Sequence, residues 1–104
     1  MTNLPTLNLD ADGHLINHLD WSTEVAQQLA DTLPVTLTPI HYQIINAVRR
    51  YYTLYSHAPT TRPLIKFLGS ELPELAIDNA KLQSLFHTGL VARHVNRIAG
   101  LPKP

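Results

Sequence analysis

The 104-residue sequence contains no cysteine, and so no disulfide framework, no thiol nucleophile and no thiolate metal ligand. Glycine is scarce: Gly13, Gly69, Gly89 and Gly100 lie too far apart to build a phosphate-cradling loop. Apolar runs such as Ile44-Ile45 and Leu64-Ile65 are far shorter than the ~20 residues a membrane helix needs. The opening Met1-Thr2-Asn3-Leu4-Pro5 has neither the basic nor the apolar region of a secretory signal. Net charge is lacking too, since eight Lys and Arg balance eight Asp and Glu. That balance argues against a nucleic-acid partner, because nonspecific affinity comes from neutralising several phosphates at once. A cytoplasmic chain with no membrane contact is therefore expected, forming one domain over residues 1–104. Charged residues make up only 15%, low for a soluble surface, so part of that surface is expected to be covered by a partner.

What is present reads mainly as helix. Residues 6–17 are the exception: Leu7 and Leu9 alternate with Asn8 and Asp10, Asp12-Gly13 suits a tight turn, and His14-Leu15-Ile16 suits a returning strand. A β-hairpin is expected there. The helical part runs over residues 20–99. Asp20 or Ser22 can cap a first helix that carries Val25, Ala26, Leu29 and Leu33 on one face and ends at Pro34. Thr38-Pro39 starts the longest helix, Pro39–Tyr55, with Ile40, Ile44, Ala47, Val48, Tyr51 and Tyr55 as its stripe. Ser56-His57-Ala58-Pro59 is a turn. Thr61 can cap a third helix burying Leu64, Ile65, Phe67 and Leu68, followed by a connection over 69–77. Asp78 can cap a fourth with Leu82, Leu85 and Phe86, and a fifth covers about 90–99. Gly100 is placed as a left-handed stop, and Pro102 prevents continuation, which leaves an extended tail over 100–104. The expected fold is mainly α, a small orthogonal bundle of about five helices with an N-terminal β-hairpin.

Chemistry is hard to find in this chain. The histidines His14, His18, His41, His57, His87 and His94 lack metal-ligand spacing, so they read as surface or capping imidazoles and no metal is assigned. The serines have no nucleophile-elbow context. Glu71 and Glu74 sit in a proline-containing stretch and read as solvated carboxylates. No catalytic residue and no cofactor is assigned. The long helix, the turn and the helix near Arg62 form a helix-turn-helix-like pair with Arg49, Arg50, Arg62 and Lys66 nearby. A DNA-binding regulator is thus the alternative function, weighed down by the zero net charge.

At the C-terminus, Arg97-Ile98-Ala99-Gly100-Leu101-Pro102-Lys103-Pro104 resembles the signature of the TusE/DsrC family of sulfur-relay proteins. Further fragments resemble the family in order along the chain: Asp12-Gly13-His14-Leu15, Asp20-Trp21-Ser22, Leu37-Thr38-Pro39-Ile40-His41-Tyr42, Arg49-Arg50-Tyr51-Tyr52, Ala58-Pro59, Arg62-Pro63-Leu64-Ile65-Lys66 and Leu85-Phe86. Only the combination is specific. The resemblance implies a helical bundle with an N-terminal hairpin, and a role in tRNA 2-thiouridine modification or in sulfur metabolism. It also implies a partner of TusBCD-like or sulfite-reductase type, and a tail whose orientation is set by Gly100, Leu101, Pro102 and Pro104.

The family carries sulfur on a cysteine of a C-terminal arm, and this sequence has none. The second cysteine of DsrC-type members falls at Asn96, which can form neither persulfide nor disulfide. Two readings follow: a carrier whose arm is missing here, or a cysteine-free relative that docks to or regulates a sulfur-transfer complex. Both assign partner docking to Arg62, Lys66 and Lys103, which lie at positions matching the family pattern. Each of the three, taken singly, is also what an ordinary solvated surface carries. Trp21, Leu85 and Phe86 read as core rather than contact. Oligomeric state is left open.

Overall fold

The computed structural model describes residues 9–11, 13–33, 35–102 and 104. Among these residues the helices are α1 (Thr23–Asp31), α2 (Pro39–Tyr55), α3 (Thr61–Glu71), α4 (Asn79–Phe86) and α5 (Val91–Ile98), with short 3-10 turns at His18–Asp20 and Pro73–Leu75.

Local chemistry accounts for most boundaries. The Ser22 hydroxyl accepts from the Val25 amide and starts α1, burying Val25, Ala26, Leu29 and Ala30. Asp20, the other candidate cap, belongs to the preceding 3-10 turn, which Asn17 caps instead. Helix α1 ends at Asp31, so Leu33 meets the core from beyond it and Pro34 lies outside the described residues.

At the start of α2, the Thr38 amide donates to His41 Nδ1 at 3.1 Å, so that nitrogen is the acceptor. Its Nε2 then donates to the Leu85 carbonyl at 2.7 Å and fastens the start of α2 to the end of α4. Helix α3 begins after Thr60 rather than Thr61. It also runs through Gly69 to Glu71, where the sequence suggested a connection. One helical glycine costs only about 1 kcal/mol; the buried Leu68 and half-buried Leu72 offset that cost by holding the last turn against the core. Leu72 ends the helix because Pro73 follows and excludes the helical region for it (φ −130°, ψ 58°). Asp78 caps α4 by accepting from the Lys81 amide.

The N-terminal hairpin needs correction. Among the described residues no strand forms; residues 9–16 contain one isolated antiparallel bridge, Leu9 to Leu15, around a turn in which Gly13 takes φ +84°. The physical reason is at hand: His14 and Leu15 turn inward to the core, and the chain then enters the 3-10 turn instead of extending a strand. Residues 1–8 and Asp12 lie outside the described residues.

Helix α5 is central and touches α1, α2, α3 and α4, with Val91, Ala92, Val95, Asn96 and Ile98 buried. Phe86 is buried and Leu85 half-buried, as read from the sequence. Trp21 joins the main core to a smaller cluster of Leu15, Val25 and Leu29 under the N-terminal turn. No helix among the described residues is long and apolar enough to cross a membrane.

Candidate functional site at the root of the C-terminal tail

Helix α5 stops in a Schellman motif. Gly100 takes φ +75°, its amide donates to the Arg97 carbonyl, and the Leu101 amide reaches back to the Asn96 carbonyl. The carbonyls that follow are then taken up by residues from distant parts of the chain. Trp21 Nε1 donates to Ile98 at 2.9 Å, Arg49 Nη1 to Ala99 at 2.8 Å, and His14 Nδ1 to Leu101 at 3.0 Å. Arg49 Nη2 also donates to the His18 carbonyl at 3.2 Å, and its guanidinium lies 4.4 Å from the centre of the Trp21 ring. Arg97 donates to the Gly13 carbonyl and to Thr32 Oγ1.

Trp21, Arg49, His14 and Arg97 thus form a clamp that fixes where the tail leaves the bundle. Burial pushes the Arg49 guanidinium below its ordinary value, the cost of placing a cation beside Trp21 to hold two carbonyls. His14 is fully buried, and its Nε2 has no hydrogen-bond partner. Asn96 is buried one turn before the stop, donating to the Pro59 and Ala92 carbonyls at 2.9 and 2.7 Å. It ties α5 to the α2–α3 connection.

Of the residues assigned from sequence, Gly100 and Leu101 are buried in the clamp, while Pro102 and Pro104 are exposed. Arg62 and Lys66 lie one turn apart on α3, exposed. Lys103 lies outside the described residues. The tail's end and the start of α3 are brought together: Pro104, Thr60, Thr61, Leu90, Ala92 and Arg93 line a groove of about 240 Å³. Reading the sequence missed the clamp. His14 looked like a surface imidazole and Trp21 like core alone, while Arg49 and Arg97 were not assigned to the tail.

Two of the cations counted for a DNA-reading helix pair are occupied by the protein itself. Arg49 holds the tail root, and Arg50 pairs with Glu71 at 3.2 Å. Among the described residues no group of three or more His, Cys, Asp and Glu could hold a metal ion.

Beside the clamp, burial, and then the charges of Arg97, Arg93 and His14, push the half-buried His94 below its ordinary value of 6.5. Below pH 6.5 the unfolded chain therefore binds more protons at this site than the folded one. Stability is expected to fall as pH drops through that value, and to stop falling from this source below the lowered folded-state value. His94→Gln should flatten the acid limb of a Tm-against-pH curve by a small amount, since the ring is partly exposed. An unchanged acid limb would assign it elsewhere.

A family model described as DsrC like protein matches residues 2–104. The sulfurtransferase TusE of Yersinia pseudotuberculosis is 36% identical over 98 residues, covering 94% of this chain and 90% of that protein. The NMR structure of Allochromatium vinosum DsrC superposes with a TM-score of 0.84 at 40% identity, covering 94% of this chain and 87% of that one. The crystal structure of the oxidized gamma-subunit of dissimilatory sulfite reductase, DsrC, from Archaeoglobus fulgidus gives 0.77 at 36%, covering 94% and 89%.

Proposed function

This chain belongs to the family of DsrC-like proteins, and from that membership we propose that it serves sulfur relay by docking to a partner complex and presenting its C-terminal tail there. The observation that carries the reading is the clamp. A protein gains little from placing Trp21, Arg49 and His14 on three of the four carbonyls between Ile98 and Leu101 unless the direction of the tail matters.

Persulfide sulfur is carried on a thiol, and these 104 residues contain none, so what they contribute is recognition and aim. The partner is a sulfur-transfer complex of TusBCD type, serving tRNA 2-thiouridine formation, or a sulfite-reductase-type complex. Arg62, Lys66 and Lys103 are its docking cations, steering an acidic surface to the tail. Pro104 shares a groove with Thr60 and Thr61, and Arg62 and Lys66 follow on the same helix, which supports a single docking face.

The test is direct binding of the purified chain to each purified complex, with Arg62→Glu/Lys66→Glu as the comparison. Binding to one complex is expected, weakened about ten-fold or more by the double charge reversal. Absence of binding to both would overturn the reading. Intact mass of the protein from its native source, before and after thiol alkylation, separates a carrier from a docking protein. Uptake of one alkyl group on a heavier chain means carriage, and an unaltered mass for these residues means docking alone.

A further inference from the structure

The charge of this neutral chain is strongly segregated. Residues 1–48 hold five acidic residues and no Lys or Arg, whereas residues 49–104 hold all eight basic residues and three acidic ones, giving halves of −5 and +5. Much of the basic half is used internally: Arg49 and Arg97 hold carbonyls, Arg50 pairs with Glu71, and Lys81 donates to the Leu75 carbonyl. Among the described residues, the Lys and Arg side chains with no hydrogen bond, ion pair or ring contact are Arg62, Lys66 and Arg93.

Two of the three line grooves, and the first turn of α3 contributes to both, Pro63 to one and Thr61 to the other, with Arg62 between them in the chain. Lys66 lines a groove of about 330 Å³ with Tyr51, Tyr55, Pro63, Phe67 and Ser70, and Arg93 lines the groove at Pro104. The larger groove is aromatic and pre-formed. Tyr51 meets Tyr55 at 4.6 Å between ring centres and stands edge-on to Phe67 at 5.2 Å and to His57 at 5.5 Å. Each groove also presents exposed apolar surface: Tyr55 is 54% exposed in the first and Leu90 57% exposed in the second. Among the described residues no Asp or Glu side chain lines either groove.

Resting on the docking reading above, we propose that the α2–α3 groove receives an acidic segment of a protein partner. That segment inserts one aromatic or aliphatic side chain against Tyr55, Pro63 and Phe67 and sets its carboxylates on Lys66, Arg62 and Arg93. Rings already held in place lose little entropy when an anchor side chain enters, and desolvated aromatic pockets are where binding energy concentrates. Charge decides for protein over nucleic acid. The three free cations among the described residues neutralise too few phosphates for useful affinity at physiological salt, but they match a short acidic stretch.

The test is fluorescence anisotropy with short synthetic peptides in which Asp and Glu flank a single Trp, Phe or Leu. Parallel probes replace the anchor by Ser, replace the acids by Lys, or use single-stranded RNA. The expected result is binding that needs both anchor and acids, weakened about ten-fold by Lys66→Glu and comparably by Tyr55→Ser, with falling affinity as salt rises. Both substituted side chains are exposed, and an unchanged Tm confirms that the fold is kept. Failure of every anchored acidic peptide to bind, wild-type affinity in either variant, or preference for RNA overturns the inference. So does self-association of the chain that Lys66→Glu abolishes, which would make a second copy the occupant. Running the same variants against the purified relay complexes separates the two ideas. A complex that holds wild type and both variants equally leaves the docking reading standing and the groove excluded. Anchored acidic peptides that bind while neither complex does would leave the groove standing and the relay reading excluded.

Discussion

Gly100→Ala is expected to lower the melting temperature by about 10–20 °C, the largest effect of a single methyl group anywhere in the described chain. Two costs add. A non-glycine residue at φ +75° pays about 1–2 kcal/mol for left-handed backbone. The new methyl would also sit 2.5 Å from Trp21 Cδ1 and 2.8 Å from its Cβ. Because the Cβ is involved, Trp21 cannot simply swing its ring away; the backbone of one partner must shift, at about 1–3 kcal/mol. That shift opens the Trp21–Ile98 hydrogen bond and moves the ring from beneath Arg49. Trp21 is the sole tryptophan, so its fluorescence reports the site directly: a changed emission maximum is expected in the folded variant. A variant with wild-type Tm and emission would mean that the tail root is not held as described.

Arg49→Met is the second large effect. Methionine keeps much of the apolar stem but removes the donors to the Ala99 and His18 carbonyls. Leaving partly buried carbonyls unpaired should cost about 2 kcal/mol. Arg49→Lys should recover less than half of that loss, because a point-like ammonium cannot reproduce a planar fork spanning two acceptors. The local signature is as informative as the Tm. Amide exchange of Gly100 and Leu101, slow while the Schellman bonds stand, should quicken in Arg49→Met well beyond the change at Leu64 in α3. Uniform acceleration across the chain would show that Arg49 stabilises the bundle generally and does not single out the tail.

How far the fold could be read in advance follows from the range of the interactions. Helix α2 was legible at both ends because Thr38-Pro39 and the Ser56-to-Pro59 turn are local chemistry. The Gly100 stop was legible for the same reason, and so was the α3 face that pairs Arg62 with Lys66. The end of α3 was misplaced because Gly69 reads as a breaker locally, while Leu68 and Leu72 hold that turn through tertiary contact. At the N-terminus, the alternation around Leu9 and Leu15 mimicked a hairpin, yet His14 and Leu15 both turn inward.

The clamp was invisible in the sequence since the bonds that hold the tail-root carbonyls join residues 50 to 87 positions apart. The family resemblance pointed to Arg62, Lys66 and a tail oriented by Gly100, Leu101, Pro102 and Pro104, but not to the side chains that hold the tail's root or to the aromatic groove beside Lys66. Arg93 was missed because nothing in its helical neighbourhood marks a cation that finds no internal partner.

The central claim is that these residues dock where a sulfur carrier docks. Competition tests it most directly: sulfur transfer by a cysteine-bearing TusE relative and its purified complex, measured while the 104-residue chain is titrated in. The account predicts progressive slowing of transfer, lost when Arg62→Glu/Lys66→Glu is added instead. Transfer that continues undiminished under a large excess of the folded chain would contradict it.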